Sequence, residues 1–359
     1  MEASMMPSVR AFRAGDRVRH RAVQLLAAAA LVLAGAAGLV AGTPGVAAGA
    51  VTASSIVAGT TAPTSGAINW NAVACTSATS CITVGTTSSW GGVATFNGTT
   101  YGTVQTVTSA NQLQGVACPT STDCIAVGYQ DNGSGSAGVV VPIVNGTAGA
   151  PQVLSGTASL YGISCPSATL CVASGTIGYY AGVVPLAVSA STSSMTITAG
   201  TPVGDTGQIN FQAISCPSTT VCDAAGGTNS GTGVGTFVPM TVSGGSTPAV
   251  TLGTPQNVSG TPELFGIACP STTECLVMGV SGQLAVVTNG TPGTLQTVAG
   301  NGYVDTITCL SPSMCLAGNG STVQLIVNGT PSGSASLSGF GSVNGIACVA
   351  GTNSCTAAG

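Results

Sequence analysis

Positive charge is almost absent from this chain. Its only basic residues are Arg10, Arg13, Arg17, Arg19 and Arg21, and the single histidine, His20, lies among them. Residues 22–359 contain no Lys, Arg or His. A body without cations cannot neutralise phosphates, which excludes a nucleic-acid partner. Histidine acid–base chemistry, Ser-His and Cys-His nucleophiles, P-loop lysines and arginine clamps are excluded with it. Charge of either sign is scarce, at 4% of residues against about a quarter in ordinary domains. Seven acids remain in the body: Asp123, Asp131, Asp205, Asp223, Glu263, Glu274 and Asp305. No cofactor motif is present, and no metal site is expected.

What is abundant is glycine, at 53 residues, together with 14 cysteines. The five arginines precede an apolar run from Ala22 to Ala41, followed by Gly42, Pro44 and Gly45 and by small-residue sites ending at Ala48 or Ala50. That is the layout of a secretory signal peptide over residues 1–50. The rival reading is a retained membrane anchor, because the run is nearly long enough to span a bilayer. With the leader removed, the product is expected to be secreted or held at the cell surface, with no membrane attachment. Cysteines in an exported chain read as disulfides.

The cysteines form seven close pairs: Cys75/Cys81, Cys118/Cys124, Cys165/Cys171, Cys216/Cys222, Cys269/Cys275, Cys309/Cys315 and Cys348/Cys355. First cysteines recur at intervals of 43, 47, 51, 53, 40 and 39 residues, the period of a repeat array. The clearest copy is LFGIACPSTTECLVMG, Leu264 to Gly279. Two residues before each first cysteine the side chain is always Val or Ile, one before it is Ala, Ser or Thr, and five before it is bulky, from Trp70 to Val343. β-Branched residues alternating with small ones suit a strand squeezed between close neighbours. The second cysteine opens a return strand, closed by glycine in six repeats and by Asn319 in the sixth. Two more strand candidates follow each of the first six motifs, often joined by Asn-Gly, a favoured hairpin turn. The expectation is an all-β, seven-bladed propeller over residues 51–359, with four antiparallel strands (A to D) and one disulfide per blade. The chain runs out after strand B of the last repeat. Val51–Gly59 is expected to add an outer strand there and close the ring, with strand C missing or poorly formed.

The spacing L-x-x-I-x-C-x-x-x-x-x-C-x-A-V-G, then N-G-T, resembles the blade of sialidase-type and photosystem-assembly-factor-like propellers. The Cys-paired form is similar to repeat proteins exported by actinobacteria. The resemblance implies a propeller fold over residues 65–359. It does not carry activity, since sialidases need an arginine cluster and the assembly factors use basic patches.

Each candidate chemistry has a plainer rival. The cysteine pairs lack both C-x-x-C spacing and a completing histidine, so disulfides are favoured over metal. Asp123 and Glu274 fall in A–B turns of distant blades, which makes them solvated loop acids before a glycosidase pair. Asp131-Asn132-Gly133-Ser134 lacks the acids of an EF-hand and reads as a turn. Asn-x-Ser/Thr sequons at Asn97, Asn132, Asn145, Asn257, Asn289, Asn319 and Asn328 read mostly as hairpin turns rather than glycosylation sites. The positive hint is aromatic. Trp90, Tyr129, Tyr179 and Tyr180 all fall shortly after strand B, where antiparallel alternation puts B–C and D–A connections on one face. They form a candidate stacking platform for a polysaccharide or a cell-surface protein, with local capping of blade edges as the rival. The functional expectation is a non-catalytic binding or scaffold protein. The alternative is a secreted carbohydrate-active enzyme using carboxylates alone. With no basic partners for its acids, the body is also expected to be acid-stable.

Overall fold

A computed structural model describes residues 27–34, 55–63, 69–131, 133, 135–228, 233–300, 304–338, 341–349, 352 and 354–359; for 27–34, 55–63, 304 and 305 only the backbone is described. Among the described residues the structure is all strand, apart from one 3-10 turn at Val280–Gly282. Each of the first six cysteine motifs folds into one antiparallel sheet in the order A-B-C-D. The first blade comprises Asn69–Ser77, Ser80–Thr86, Gly91–Phe96 and Gln105–Val107. The third comprises Thr157–Ser167, Leu170–Ile177, Tyr180–Ala190 and an outer strand in two pieces, Met195–Ala199 and Val203–Asp205.

The expectation of seven like blades is corrected to six. The seventh cysteine pair brings only a hairpin, Gly345–Cys348 and Ser354–Ala358, to a composite sheet. The outer strands of that sheet are Ala27–Ala34, paired with Ser354–Ala358, and then Ser55–Pro63 at the edge. The expected outer strand at Val51–Gly59 thus begins four residues later, and residues 51–54 lie outside the described set. The strand C position is held by Ala27–Ala34, which falls within the expected leader. A chain cut at Ala48 or Ala50 keeps Ser55–Pro63 and loses Ala27–Ala34. Six complete blades are therefore what the repeats themselves build, and the seventh disulfide closes a hairpin.

That hairpin lies between the sixth blade and the first, so the seven inner strands meet in a closed circuit. Apolar layers fill each space between sheets. Ile125 and Val127 face the third blade while Cys124 and Ala126, alternating with them, face the first. Burial on both faces is why strands B and C read as near-continuous apolar runs such as Val139-Val140-Val141. The layer between hairpin and first blade holds Trp70, Phe96 and Ala358, with Tyr101 stacked on Trp70 at 5.9 Å.

A feature repeated in the first six inner strands explains their odd spacing. The residues five and two before the first cysteine are three apart, and in a regular strand they face opposite ways. In the first five both are buried in one layer, as Leu113 and Val116 are, or Phe211 and Ile214. A register shift between the fifth and third residues before the cysteine restores the parity. The extra residue is Asn71, Gln114, Tyr161, Gln212, Phe265 or Asp305. The bulge carries a backbone oxygen toward strand B, so a Cβ at Gly85, Gly128, Gly175 or Gly226 would collide with the carbonyl oxygen of Asn69, Gln112, Ser159 or Asn210. This accounts for the glycine that ends the motif.

All seven cysteine pairs form disulfides within their own repeats: Cys75–Cys81, Cys118–Cys124, Cys165–Cys171, Cys216–Cys222, Cys269–Cys275, Cys309–Cys315 and Cys348–Cys355. Among the described residues no free cysteine occurs. Their Cα atoms are 3.8–4.1 Å apart across the A–B hairpins. The second cysteine of every pair is buried between sheets: Cys81, Cys124, Cys171, Cys222, Cys275, Cys315 and Cys355. Cys171 packs in the layer between the second and third blades, Cys315 between the fifth and sixth, and Cys355 between the sixth blade and the hairpin. These positions are interior staples that also fill the core, and they offer no surface to a ligand. Each disulfide closes a short loop, which limits its chain-entropy contribution to about 2 kcal/mol.

Candidate functional site

Antiparallel order gives the ring two unlike faces. One carries the A–B and C–D turns. Asn145, Asn289 and Asn328 sit there with positive φ, each followed by a glycine also at positive φ, so hairpin geometry explains these sequons. A cavity of about 390 Å³ opens at this end of the channel, lined by Ser215, Ile267, Cys269, Pro270, Ile307 and Cys309 among others. None of the four aromatics of the expected platform lines it.

Those aromatics lie on the opposite face, with unequal exposure. Trp90 is half-buried in the turn after Ser80–Thr86, where its carbonyl oxygen accepts hydrogen bonds from the Thr87 N–H (2.7 Å) and hydroxyl (2.9 Å). Tyr129 is half-buried within Asp123–Asp131, and its hydroxyl donates to Gln112 Oε1 at 3.4 Å. Burial raises the Tyr129 pKa, with smaller contributions from Tyr161 and Asp131. Tyr179 occupies the B–C turn of the third blade at 92% exposure, and Tyr180 opens the following strand at 38%. The open part of the platform is therefore the third blade. Two exposed apolar residues were missed by the sequence reading: Ile209, at 46% exposure, lies at the start of the inner strand of the fourth blade, and Val153, at 47%, lies on the side of the second blade that faces the first. Neither belongs to a motif, and no sequence signal marks them apart from other strand residues.

The same face carries hydrogen bonds between sheets. Asn71 Nδ2 donates to the Leu113 carbonyl at 2.7 Å, and Asn344 Nδ2 donates to the Trp70 carbonyl at 2.8 Å. Both asparagines stand four before a first cysteine, and both bonds reach the residue five before the next one. Gln212 Nε2 donates to Glu263 Oε1 at 2.9 Å across the fourth and fifth blades. Deeper in, Ser164 and Ser215 Oγ accept from the backbone N–H of Cys216 and Cys269 in the next blade. These contacts give a structural reason for small hydroxyl residues before the cysteine.

The carboxylates separate by environment. Asp123 is buried and accepts from the Thr120 hydroxyl at 2.9 Å. Asp131 Oδ1 accepts from the Gly133 N–H at 2.9 Å, which is turn geometry; Asn132 and Ser134 lie outside the described residues. Asp223, just after Cys222, is 6% exposed and sits between the fourth and fifth blades. Its Oδ2 lies 3.8 and 3.7 Å from the sulfurs of Cys269 and Cys275. Those sulfurs are bonded to each other and carry no hydrogen to donate, and the trio is not a thiolate metal site. Burial pushes the Asp223 pKa up from 3.8 to about 6. The corresponding residues in other repeats are Ile82, Ile125, Val172, Leu276 and Leu316, with Thr356 in the hairpin. The Thr356 hydroxyl stands 3.6 Å from Cys81 Sγ, the same contact made by an uncharged group.

Among solved structures the chain is similar to WD40-repeat propellers. One is U3-55K, with a TM-score of 0.56 and 11% identity over 81% of this chain and 95% of that one. Another is the WD40 repeats of RRP9, with a TM-score of 0.58 and 10% identity over 81% and 94%. At such identity the likeness establishes the fold alone. No family model matches the chain, and no curated protein does. Among the described residues, no helix is long and apolar enough to cross a membrane.

Proposed function

We propose that this chain is a secreted, non-catalytic binding or scaffold propeller that holds its ligand on the face built from B–C and D–A connections. A polysaccharide, a cell-wall polymer or another protein is the ligand class this face suits. The observation that carries the reading is the exposure of Tyr179 and Tyr180 on a body with no basic side chain after Arg21. Exposed aromatic rings bind sugars and proteins through their faces and need no charge to do so. Seven disulfides favour an oxidising, extracellular setting. The resemblance to exported Cys-paired repeats supports export with the leader removed.

The enzyme alternative receives no support from Asp223, the one carboxyl among the described residues with a strongly raised pKa. Asp223 is enclosed between two blades against a disulfide, where no substrate reaches it. The test is a glycan array and a cell-wall pulldown with the secreted protein and with Tyr179→Ala/Tyr180→Ala. Binding that is lost in the double variant at an unchanged melting temperature supports the reading. Binding that survives undiminished overturns the assignment of the face.

A further inference from the structure

We propose that the rim of the third blade is the docking site for a protein segment combining apolar side chains with Lys or Arg. This deepens the binding reading above and rests on it.

Among the described residues the exposed large hydrophobic side chains are Val153, Tyr179, Tyr180 and Ile209. Tyr179 and Tyr180 lie at the B–C turn of the third blade and Ile209 at the start of the inner strand of the fourth, whereas Val153 pairs with Val139, which faces the first blade, and stands apart from them. The register links the third-blade pair to Ile209 along one rim. The Gly178 N–H donates to the Gly156 carbonyl at 3.2 Å, tying the turn that carries Tyr179 to the D–A connection that enters the third blade. On the other side Ala181, next to Tyr180, pairs with Asp205, and the chain turns from Asp205 directly into the inner strand that carries Ile209. Tyr179, Tyr180 and Ile209 thus follow the rim from the third blade to the fourth.

Charge selects the occupant. Asp205 lies within this rim and Asp131 beside it, at the end of strand B of the second blade. Each is fixed in place by a backbone N–H, from Gly207 and Gly133 respectively, at 2.9 Å. No cation in residues 22–359 offsets them. An apolar strip edged by uncompensated carboxylates fits a partner whose apolar anchors are flanked by positive charge. Ile209 weighs against a polysaccharide, since an aliphatic side chain offers no flat face to a sugar ring but packs well against another side chain.

The test uses the secreted full-length protein and fluorescently labelled 15-residue peptides. One set alternates Leu or Trp with Arg; control sets replace Arg by Glu, or Leu and Trp by Ser. The Arg-containing apolar set should bind saturably, and more weakly as salt rises. Tyr179→Ser/Ile209→Ser should weaken that binding at least tenfold. Asp205→Asn, a near-isosteric change that keeps a turn acceptor, should weaken it severalfold and flatten its salt dependence. The replaced apolar side chains are exposed, so an unchanged melting temperature is expected and separates docking from folding. Peptide affinity unaltered by these variants, or no saturable peptide binding, overturns the proposal. If a neutral glycan binds instead and is lost in Tyr179→Ser, the peptide proposal fails while the binding face stands.

Discussion

Replacing Asp223 by Asn should stabilise this protein at neutral pH, the reverse of what removing a buried polar group usually does. The carboxyl is 6% exposed, and its Oδ2 lies against two disulfide sulfurs that have no proton to give. Burial raises its pKa from 3.8 to about 6. A shift of about two units corresponds to about 3 kcal/mol of preference for the protonated form in the folded state. Between pH 4 and 6 the native state binds more protons than the unfolded one, so stability falls as pH rises through this window. The contribution is fully present below about pH 4 and lost above about pH 6. The amide of the Asp223→Asn variant is neutral throughout, so the variant should gain about 2–3 kcal/mol at pH 7 and show no gain at pH 4. For a domain of this size that is a rise of roughly 5 °C in melting temperature. The wild type should melt several degrees higher at pH 4 than at pH 7, and the variant should lose most of that difference. Thermal melts of both proteins at pH 7, 5 and 4 decide the matter. A variant no more stable than wild type at pH 7, or a wild type that weakens steadily below pH 6, refutes the reasoning.

Other perturbations probe the inner ring and the covalent frame. Gly162→Val places side-chain atoms against the fourth blade, where even a Cβ would lie 3.1 Å from Ala213 Cα and 3.2 Å from the Ile214 nitrogen. The variant should lose about 1–3 kcal/mol in urea unfolding. Asn344→Ala removes the hydrogen bond from the hairpin to the Trp70 carbonyl and should cost about 1 kcal/mol, read in the same assay. Peptic mapping under non-reducing conditions should recover seven linked pairs, each within one repeat; a link between repeats contradicts the frame.

Repetition made the fold legible, because seven cysteine motifs in one register fix strands A and B, and Asn-Gly turns mark several C–D hairpins. The blade count was harder to read. The last motif ends after two strands, and Ala27–Ala34, whose composition reads as a leader, takes the third position of its sheet in the structure. The inner-strand bulge was present in the three-residue spacing of Trp70 and Val73, which a regular strand cannot bury on one side. The cysteine pairing followed from spacing, but the burial of Cys171, Cys315 and Cys355 did not, since it depends on how neighbouring blades stack. Of the aromatic platform, the sequence placed the residues but not their exposure. Tyr129 is half-buried and bonded to Gln112, a residue brought beside it only by strand pairing. Asp223 differs from Ile82 or Leu276 at its register position, but its cost depends on the neighbouring disulfide, which only the packing of blades reveals.

The central claim is a closed ring, in which the hairpin of the seventh cysteine pair joins the sixth blade to the first. Native-state hydrogen exchange on the secreted protein tests it most directly. In a closed ring, strands B and C of the first and sixth blades should be protected as strongly as those of the third. Exchange that is fastest in the first and sixth repeats and slows toward the middle would be the behaviour of an open array, and would contradict the account.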